Sequence, residues 1–460
     1  MPSSVVQEQR IRALNEHTLR QSGDHVLYWM QQSQRAEDNH ALEYAVQQAN
    51  DLQQPLLVVF GLMDDYPEAN LRHYAFMLEG LQETRKSLYN RGIRLVVHHG
   101  APDQVALKHG KKASLIVCDR GYLRHQKAWR RELARQADCR VVQVETDVVV
   151  PVDEVSNKVE YAARTIRPKI HKQLDRYLVG LRTTAVDHDS LKLGGDDGLD
   201  LSDVPSLLDK LKLDRSIAPV SEHFTGGTRQ AKTIFSRFVD NLKDYDNNRN
   251  KPETGHVSHM SKYLHFGQIS PLYLALAIQE ASPAEDRDTY LEELIVRREL
   301  PMNFVNFHDQ YDSYNALPDW AQTTLAEHRD DERDYHYTRQ QLEDAQTHDR
   351  YWNAAMREMK HTGYMHNYMR MYWGKKILEW SNTPEYAYQT TLYLNNKYFL
   401  DGRDANSYAN VAWVFGLHDR PWKERPVYGK VRYLSADGLK RKADIESYVD
   451  RIDRLTADQN

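Results

Sequence analysis

Cysteine is scarce in this chain of 460 residues, where Cys118 and Cys139 are the only two. Two thiols cannot form a disulfide framework or a cysteine-based metal site, and we predict no metal ligands. Cys118 ends an apolar run, where a buried thiol is expected. This cysteine usage predicts a protein of a reducing, intracellular compartment.

Long apolar runs are also missing. No stretch of about 18 apolar residues occurs, although a membrane-spanning helix needs about 20. The first 17 residues lack the apolar core of a secretory signal peptide. We therefore expect a cytoplasmic protein without a membrane partner.

The chain has no excess of positive charge, since 61 Lys and Arg stand against 66 Asp and Glu, for a formal net charge of -5. This balance excludes a basic coat over the whole surface, but a local patch is sufficient to bind phosphate groups. Residues 421–442 hold only two acids, Glu424 and Asp437. Their basic residues are Lys423, Arg425, Lys430, Arg432, Lys440, Arg441 and Lys442. This segment is either a solvated charged face or a surface for an anionic partner.

The first third of the chain contains short β-branched runs separated by amphipathic stretches. The runs are HVLYW at 25–29, PLLVVF at 55–60, RLVVH at 94–98, SLIVC at 114–118 and RVVQV at 140–144. Continuous apolar runs of this kind predict a doubly wound parallel sheet covered on both faces by helices. We predict an α/β, Rossmann-like domain over residues 20–182. No GxGxxG follows the first run, so an ordinary dinucleotide site there is not supported.

A change of composition separates this region from the rest. Residues 187–205 are rich in Asp and Gly and lack aromatics, which is typical of a linker or a surface excursion. We predict an interdomain linker over 183–225 and an all-helical domain over 226–460. Apolar residues recur at helical spacing in 228–244, 271–281, 288–306, 349–360 and 364–380.

Residues 364–380 place several polar and aromatic side chains on one predicted helix. Asn367, Arg370 and Met371 share a face with a glycine, which would suit a flat polar ring or a structural pairing. Trp373 and Trp380 lie seven residues apart on nearly the same face, about 10 Å from each other. With Trp352 on the preceding helix, they are either packing residues or steps for an electron, and the second interpretation requires a redox cofactor.

Two further segments leave alternatives open. Ser258 and Ser261 precede a helical stretch, where hydroxyl groups either cap the helix or help its amides to hold a pyrophosphate. Glu293 and Arg297 are four residues apart and either pair across a helical turn or leave Glu293 to face a pocket.

Taken together, several motifs resemble the class II cyclobutane pyrimidine dimer photolyases of the photolyase/cryptochrome family. The motifs are EYAARTIRPK at 160–169, ELIVRRE at 293–299, TGYMHNYMRM at 362–371, LNNKYFLDGR at 394–403 and WVFGLHDRP at 413–421. They follow the family's order and span nearly the whole chain.

The resemblance implies light-driven repair of DNA containing cyclobutane pyrimidine dimers. It implies an FAD within the helical domain, active when reduced, and a damaged dinucleotide flipped out of the duplex beside it. An electron passes from excited FAD to the dimer and returns, with no net redox change. We expect a monomer, associated with the nucleoid if the source is prokaryotic. The resemblance also allows a second, antenna chromophore, whose identity the sequence does not indicate.

The resemblance also assigns roles to residues of this chain. The cofactor contacts that it implies are Tyr245, Arg249, Val257, Ser258, His259, Met260, Ser261, Arg297, Asn367, Arg370, Asn395, Asp401 and Arg403. Arg370 and Asp401 match a salt bridge beside the flavin ring system. Asn395 is the first choice for the side chain facing flavin N5, with Asn406 as a second candidate. The contacts to the dimer and DNA are Glu293, Met371, Trp413, Arg420, Lys423 and Arg425. Trp373, Trp352 and Trp380, in that order, match an electron-transfer chain toward solvent.

The chain departs from the family at the phosphate cradle. Val257 and Lys262 stand where photolyases commonly have threonine and proline, which removes a hydroxyl and a helix-starting residue. Two alternative functions would also use a flavin. A cryptochrome-like light sensor would signal to a protein partner, and an electron-transfer flavoprotein would leave the basic segment unexplained. Retention of Glu293, Met371 and Trp413 favours repair, and salt-dependent duplex binding would discriminate.

Overall fold

The structure, a computed structural model, describes residues 6–457. The chain forms two compact units built from alternating segments. The first, here called the sheet unit, comprises Met1–Asn157, Pro168–Arg237 and His259–Glu280. The second, the helical unit, comprises Lys158–Arg167, Phe238–Ser258 and Ala281–Asn460. The domain boundaries proposed from the sequence, 20–182, 183–225 and 226–460, stay predictions.

One six-stranded sheet forms the centre of the sheet unit. Its strands are β1 (Ile11–Ala13), β2 (His25–Trp29), β3 (Leu56–Leu62), β4 (Arg94–His99), β5 (Ala113–Asp119) and β6 (Arg140–Val144). Their order is β1-β6-β5-β2-β3-β4, with β1 antiparallel to β6 and every other pairing parallel. All residues of β2, β3 and β5 are buried, as expected of strands covered on both faces.

Two apolar layers cover the sheet, because alternate strand residues point to opposite faces. Val26 and Tyr28 of β2 join one core cluster, whereas Leu27 and Trp29 join the other. The two clusters draw on helices of opposite faces. The doubly wound α/β architecture predicted from the β-branched runs is confirmed.

Twenty-two α-helices lie within residues 6–457. The first eleven are α1 (His40–Asp51), α2 (Leu71–Asn90), α3 (Pro102–Gly110), α4 (Arg124–Gln136), α5 (Val152–Val155), α6 (Ala163–His171), α7 (Leu174–Tyr177), α8 (Val204–Lys210), α9 (Thr228–Asp240), α10 (Tyr245–Asn248) and α11 (Ser261–His265). The others are α12 (Pro271–Gln279), α13 (Ala284–Leu291), α14 (Arg298–Phe307), α15 (Asp319–Glu327), α16 (Arg339–Glu343), α17 (Arg350–Thr362), α18 (Asn367–Trp380), α19 (Pro384–Tyr398), α20 (Ala405–Val414), α21 (Ala436–Lys442) and α22 (Ile445–Ala457).

The described residues of the helical unit contain helices and no β-strand beyond an isolated bridge between Arg425 and Gly429. The helical prediction for the C-terminal region is thus confirmed. None of the helices between residues 6 and 457 has the length and apolar character that a bilayer crossing requires.

The Asp- and Gly-rich stretch 187–205 lies along the edge strand β4 of the sheet unit. The Leu199 N–H donates to the Val97 carbonyl at 2.7 Å, and the Arg94 N–H donates to the Ser190 hydroxyl at 2.8 Å. Gly198 has φ of +71°, and a Cβ there would approach the Val97 oxygen to 2.3 Å. A glycine is therefore required for this close approach.

A π-helical turn, Glu292–Arg297, joins α13 to α14 in the helical unit. Pro301 lies inside α14, and a proline ring clashes with the carbonyl of the residue four positions earlier, here Arg297. This clash disfavours a regular α-helical turn at the junction. Single π-turns occur frequently at functional sites, and this one carries Glu293.

Candidate functional site

An ion pair between α18 and the loop after α19 fixes the guanidinium of Arg370. Its two terminal nitrogens donate to the two carboxylate oxygens of Asp401 at 2.9 and 3.1 Å, and its Nε donates to the Met365 carbonyl at 2.9 Å. The guanidinium carbon lies 3.9 Å from the centroid of the Phe399 ring. Such a bidentate, stacked arrangement holds the guanidinium plane in one orientation. The pairing of Arg370 with Asp401 that the motif implied is present.

Asn395, at the end of α19, is buried. Its amide donates to the Asn396 side-chain oxygen at 2.9 Å, and the same oxygen accepts the Arg403 N–H at 3.0 Å. The Arg403 guanidinium is buried and donates to the Asn396 carbonyl at 2.8 Å. Arg403 thus closes the loop between α19 and α20, and its cofactor contact stays a prediction. Asn406 is half-buried on α20.

The three predicted indoles lie together in the core of the helical unit. The Trp352 indole N–H donates to the Trp373 carbonyl at 3.0 Å, and the rings of Trp352 and Trp380 are 5.7 Å apart between centroids. Phe399, which stacks on Arg370, lies 6.3 Å from Trp373. The packing of α17 against α18 brings Trp352 and Trp373, which are 21 positions apart in the chain, into contact.

Trp380 is only 2% exposed, so its ring does not itself reach the protein surface. The ring of His348 lies 5.2 Å from it, and His348 stacks on Tyr335 at 3.5 Å. Tyr335 is 45% exposed. No sequence pattern pointed to these two rings, because they lie in the segment before α17 and outside the recognised motifs.

Glu293 contacts Arg249 and not Arg297. The Arg249 guanidinium donates to the Glu293 carboxylate at 2.9 Å, whereas Arg297 donates to Glu292 at 3.1 Å. Arg167 also binds Glu292, at 2.7 and 3.0 Å. The interpretation of Glu293 as the partner of Arg297 is therefore wrong, because in the π-helical turn the preceding glutamate takes that role.

Tyr245 belongs to the same cluster as Glu293 and Arg249. It is buried at the start of α10, and burial first, with the nearby Glu293 carboxylate second, raises the pKa of its phenol. The Arg249 Nε is buried, makes no hydrogen bond among residues 6–457 and lies 3.8 Å from a carboxylate oxygen of Asp246. An anionic group would satisfy this donor.

The predicted phosphate cradle lies where the chain passes from one unit to the other, after Ser258. Ser258 lies in the helical unit, where it hydrogen-bonds to Tyr290. His259, Met260 and Ser261 lie in the sheet unit, and Met260 occupies the N-cap of α11 without a side-chain cap hydrogen bond. Neither serine therefore caps this helix from the N-cap position.

The two departures from the family have structural roles of their own. Lys262 is buried, and its ammonium donates to the His259 carbonyl at 3.1 Å and lies 3.7 Å from the Phe224 ring centroid. The Val257 N–H donates to the Gly255 carbonyl at 2.9 Å. His259 adopts φ of +58°, an uncommon conformation for a residue other than glycine.

The predicted dimer contacts Met371 and Trp413 are half-buried on α18 and α20. Beneath the Trp413 ring lies the Lys375 ammonium, 5.0 Å from the centroid. Lys375 is fully buried, and burial lowers its pKa to about 7. Sequence inspection missed Lys375, because a lysine within a helix is ordinarily taken for a solvated residue. Asn367, the first residue of α18, is exposed.

Residues 420–430, here called the basic loop, form an exposed turn in the helical unit. The Trp422 and Arg425 amides donate to the carbonyls of Lys430 and Gly429 at 2.8 and 2.9 Å. Trp422 is 38% exposed, with the guanidinium carbons of Arg432 and Arg420 at 4.3 and 5.2 Å from its ring centroid. The loop therefore presents an aromatic face and cations to solvent, which suits a nucleic acid strand.

Known proteins match this chain over nearly its whole length. The family model described as DNA photolyase matches residues 26–187. A deoxyribodipyrimidine photo-lyase of Methanothermobacter thermautotrophicus is 50% identical over 97% of this chain and 99% of that protein. One of Arabidopsis thaliana is 38% identical over 99% and 95%.

A solved structure shows the same fold at low sequence identity. An archaeal photolyase from Sulfolobus tokodaii, described with two FAD molecules that imply a novel light-harvesting cofactor, superimposes with a TM-score of 0.70 at 16% identity. The match covers 93% of this chain and 89% of that one. Together with relatives that are 38% and 50% identical along nearly its whole length, these matches show that the chain belongs to the deoxyribodipyrimidine photo-lyase family.

Proposed function

We propose that this photolyase repairs cyclobutane pyrimidine dimers in DNA under blue light, as a class II enzyme with reduced FAD in its helical unit. The observation that carries the proposal is the buried set formed by the Arg370–Asp401 ion pair, Phe399 and the three indoles. Phe399 stacks on Arg370 and contacts Trp373, so the ion pair and the first indole meet at one ring. A fixed guanidinium beside contiguous aromatic rings fits a flavin that is reduced through the protein.

The described residues offer suitable partners for FAD. Arg370, Asp401 and Asn395 would hold the flavin ring system, and Tyr245 and Arg249 would hold its phosphate side. Several buried donors make no hydrogen bond among residues 6–457, and the Arg249 Nε and the Trp373 Nε1 are two of them. Buried donors in native proteins are nearly always paired, so a polar ligand near either atom would supply the missing acceptor. When bound in its reduced form and excited by light, FAD supplies one electron to the dimer and receives it back after the ring opens.

The remaining cofactor contacts belong to the same proposal. Segment 257–261 would contact the phosphates through its backbone amides, and Asn367 would do so from the exposed first turn of α18. Arg297 donates a hydrogen bond to the Glu292 carboxylate, and Arg403 donates one to the Asn396 carbonyl. We therefore assign them the task of holding the π-turn and the loop after α19 in place.

Glu293 would contact the dimer as part of one polar unit with Arg249, whose guanidinium donates to the Glu293 carboxylate at 2.9 Å. A carboxylate only accepts hydrogen bonds, so Arg249 would supply the donor for negative charge that develops on a pyrimidine carbonyl, and Glu293 would hold that donor in place. Met371 and the Trp413 ring would supply the apolar walls against which the two bases pack.

The basic loop would bind the DNA strand around the dimer. Lys423 and Arg425 are exposed there and would contact phosphates, with Arg420 beside the Trp422 ring. Phosphate contacts position a protein on DNA without reading its sequence, as repair of lesions at arbitrary positions requires. We further propose that the protein acts as a monomer in the cytoplasm, at the nucleoid if the source is prokaryotic.

A second chromophore would occupy the sheet unit. Tyr66 follows β3 and His125 follows β5, and the two side chains hydrogen-bond at 2.8 Å. Trp129 contacts His125 with ring centroids 4.9 Å apart. Ligands of open α/β sheets bind at the carboxyl ends of the strands, where these three rings lie. The Sulfolobus tokodaii photolyase is described with such a second molecule.

Illumination of the purified protein with dimer-containing oligonucleotide tests the proposal. We expect released FAD upon denaturation, and restoration of undamaged pyrimidines in the light but not in the dark. A protein that holds FAD and photoreduces it yet leaves dimers intact would support the cryptochrome-like alternative. Absence of flavin would contradict both functions.

A further inference from the structure

A histidine outside all recognised motifs holds the basic loop. His328 is the C-cap residue of α15, and its Nδ1 lies 2.6 Å from an Asp331 carboxylate oxygen. Its Nε2 lies 3.0 Å from a carboxylate oxygen of Glu424, 96 residues further along the chain. All three residues belong to the helical unit, so the imidazole joins the end of α15 to the exposed turn of the loop.

The geometry fixes the charge of this imidazole. Carboxylate oxygens only accept hydrogen bonds, so both ring nitrogens must donate, and only the protonated ring has two N–H groups. The C-terminal end of a helix also favours a cation, because the last carbonyls of α15 carry partial negative charge. The bond to Asp331 is the largest cause of the raised pKa of His328; burial opposes it, and the bond to Glu424 adds to the rise.

Other charged groups around His328 agree with an imidazolium. Lys430 lies 3.8 Å from the second Glu424 oxygen, and Arg333 donates to the Asp331 carbonyl at 2.9 Å. Two carboxylates therefore face three cations. Loss of the imidazolium charge would leave a ring lone pair opposite one of the carboxylates.

The loop base is built around the same residues. The Val427 N–H donates to Asp331 at 2.8 Å, and Val427 adopts φ of +66°, which is strained for a β-branched residue. Gly429 packs so closely on α15 that a Cβ would lie 2.8 Å from the His328 ring. A strained conformation persists only where surrounding contacts determine it, and here they come from Asp331, His328 and Thr324.

Glu424 is the one acid among residues 421–430 of the basic segment. While His328 is protonated, the Glu424 charge is balanced and directed toward α15. We propose that His328 is a positioning residue for DNA binding. Its imidazolium holds Glu424 away from the phosphates, and its deprotonation lowers the affinity for DNA. The inference rests on the proposed function, since it requires that the basic loop binds DNA.

Binding of dimer-containing duplex in the dark, measured from pH 6 to 9 at constant ionic strength, tests this inference. Because the pKa is raised, the imidazolium is fully present at the acidic end and is lost as the pH rises. Wild-type affinity should fall by a factor of about three to ten across one proton-linked step, the scale of one phosphate contact. His328→Gln should bind weakly at every pH, without the step.

Glu424→Gln separates the proposed role from a merely structural one. Without a carboxylate to repel phosphate, this variant should keep the high affinity of the acidic end at all pH values. His336→Gln, which removes an exposed histidine of the same unit, should keep the wild-type profile. If His328→Gln retains the step, or if Glu424→Gln behaves like His328→Gln, the inference is wrong. A wild-type protein that binds no duplex at any pH would instead contradict the proposed function.

Discussion

At the scale of single residues, neighbouring glutamates of the π-turn have different tasks. Glu292 binds two arginines, Arg167 and Arg297, whereas Glu293 binds Arg249 alone and is more exposed, at 34% against 24%. A carboxylate shared by two guanidiniums has little capacity left for a substrate. Glu293, which we assign to the dimer, therefore follows directly after a glutamate with a structural role, Glu292.

We expect Glu293→Ala to lower the repair yield per absorbed photon by on the order of tenfold or more, because one prepositioned polar contact to a developing charge is lost. Flavin content should stay near the wild-type value. Quantum yield and flavin occupancy measured on the same preparation check this result.

Glu292→Ala is the matched control for that variant. It should lower the thermal midpoint, because it leaves Arg167 and Arg297 without their partner, and any folded protein should repair normally. An unchanged quantum yield in flavin-replete Glu293→Ala would contradict the assignment of Glu293 to the dimer.

Trp373→Phe should prevent photoreduction of oxidised FAD, because it removes the indole that contacts Phe399 beside Arg370. Enzyme reduced chemically beforehand should still repair. Transient absorption under blue light measures the effect, and Trp320→Phe, on α15, serves as the control. Photoreduction of Trp373→Phe at the wild-type rate would show that electrons enter by another route.

At the scale of elements, the start of α18 depends on a neutral histidine. The His366 Nδ1 accepts the Tyr368 N–H at 3.2 Å as the N-cap of this helix. His366 is 1% exposed, and burial first, followed by the charges of Arg451 and Arg370, lowers its pKa to about 4. A protonated ring would lose this acceptor and bring a third positive charge beside two arginines.

Stability should therefore fall at acidic pH. Above the unfolded value near 6.5 both states are neutral, and between 6.5 and 4 the unfolded chain binds the proton preferentially, so stability decreases as the pH falls. His366→Asn keeps a good N-cap and does not titrate. We expect this variant to show a weaker loss of stability between pH 6.5 and 4 in urea unfolding than the wild type. Equal pH dependence in both proteins would exclude His366 as the cause.

At the scale of the whole molecule, a chain with net charge -5 can bind DNA only through a local concentration of cations. Lys423 and Arg425 are exposed in the basic loop. Lys423→Ala should weaken binding to all duplexes alike and reduce the slope of log K against log salt by about one, the change expected for one phosphate contact. Lys86→Ala, an exposed lysine of the sheet unit, should leave the slope unchanged. Equal slopes for Lys423→Ala and the wild type would place the DNA elsewhere.

The sequence predicted those features that depend on neighbours along the chain or on a motif. Continuous β-branched apolar runs predicted β2 to β6, and two motifs predicted the pairing of Arg370 with Asp401. The Glu293–Arg249 contact joins residues 44 positions apart, and that of His328 with Glu424 joins residues 96 apart. No local pattern encodes such contacts, and regular helical spacing did not anticipate the π-turn, in which Arg297 pairs with Glu292.

The alternation of segments between the two units has a consequence for synthesis on the ribosome. The sheet unit includes His259–Glu280, whose Gly267 and Gln268 make hydrogen bonds with Arg35 and Phe76. Every strand has been made by residue 144, yet these bonds cannot form until residue 268 has left the exit tunnel. A nascent chain must therefore carry an incomplete sheet unit through more than a hundred further residues of elongation. Domains generally fold in order as they emerge, and here the first is finished only after part of the second has been translated.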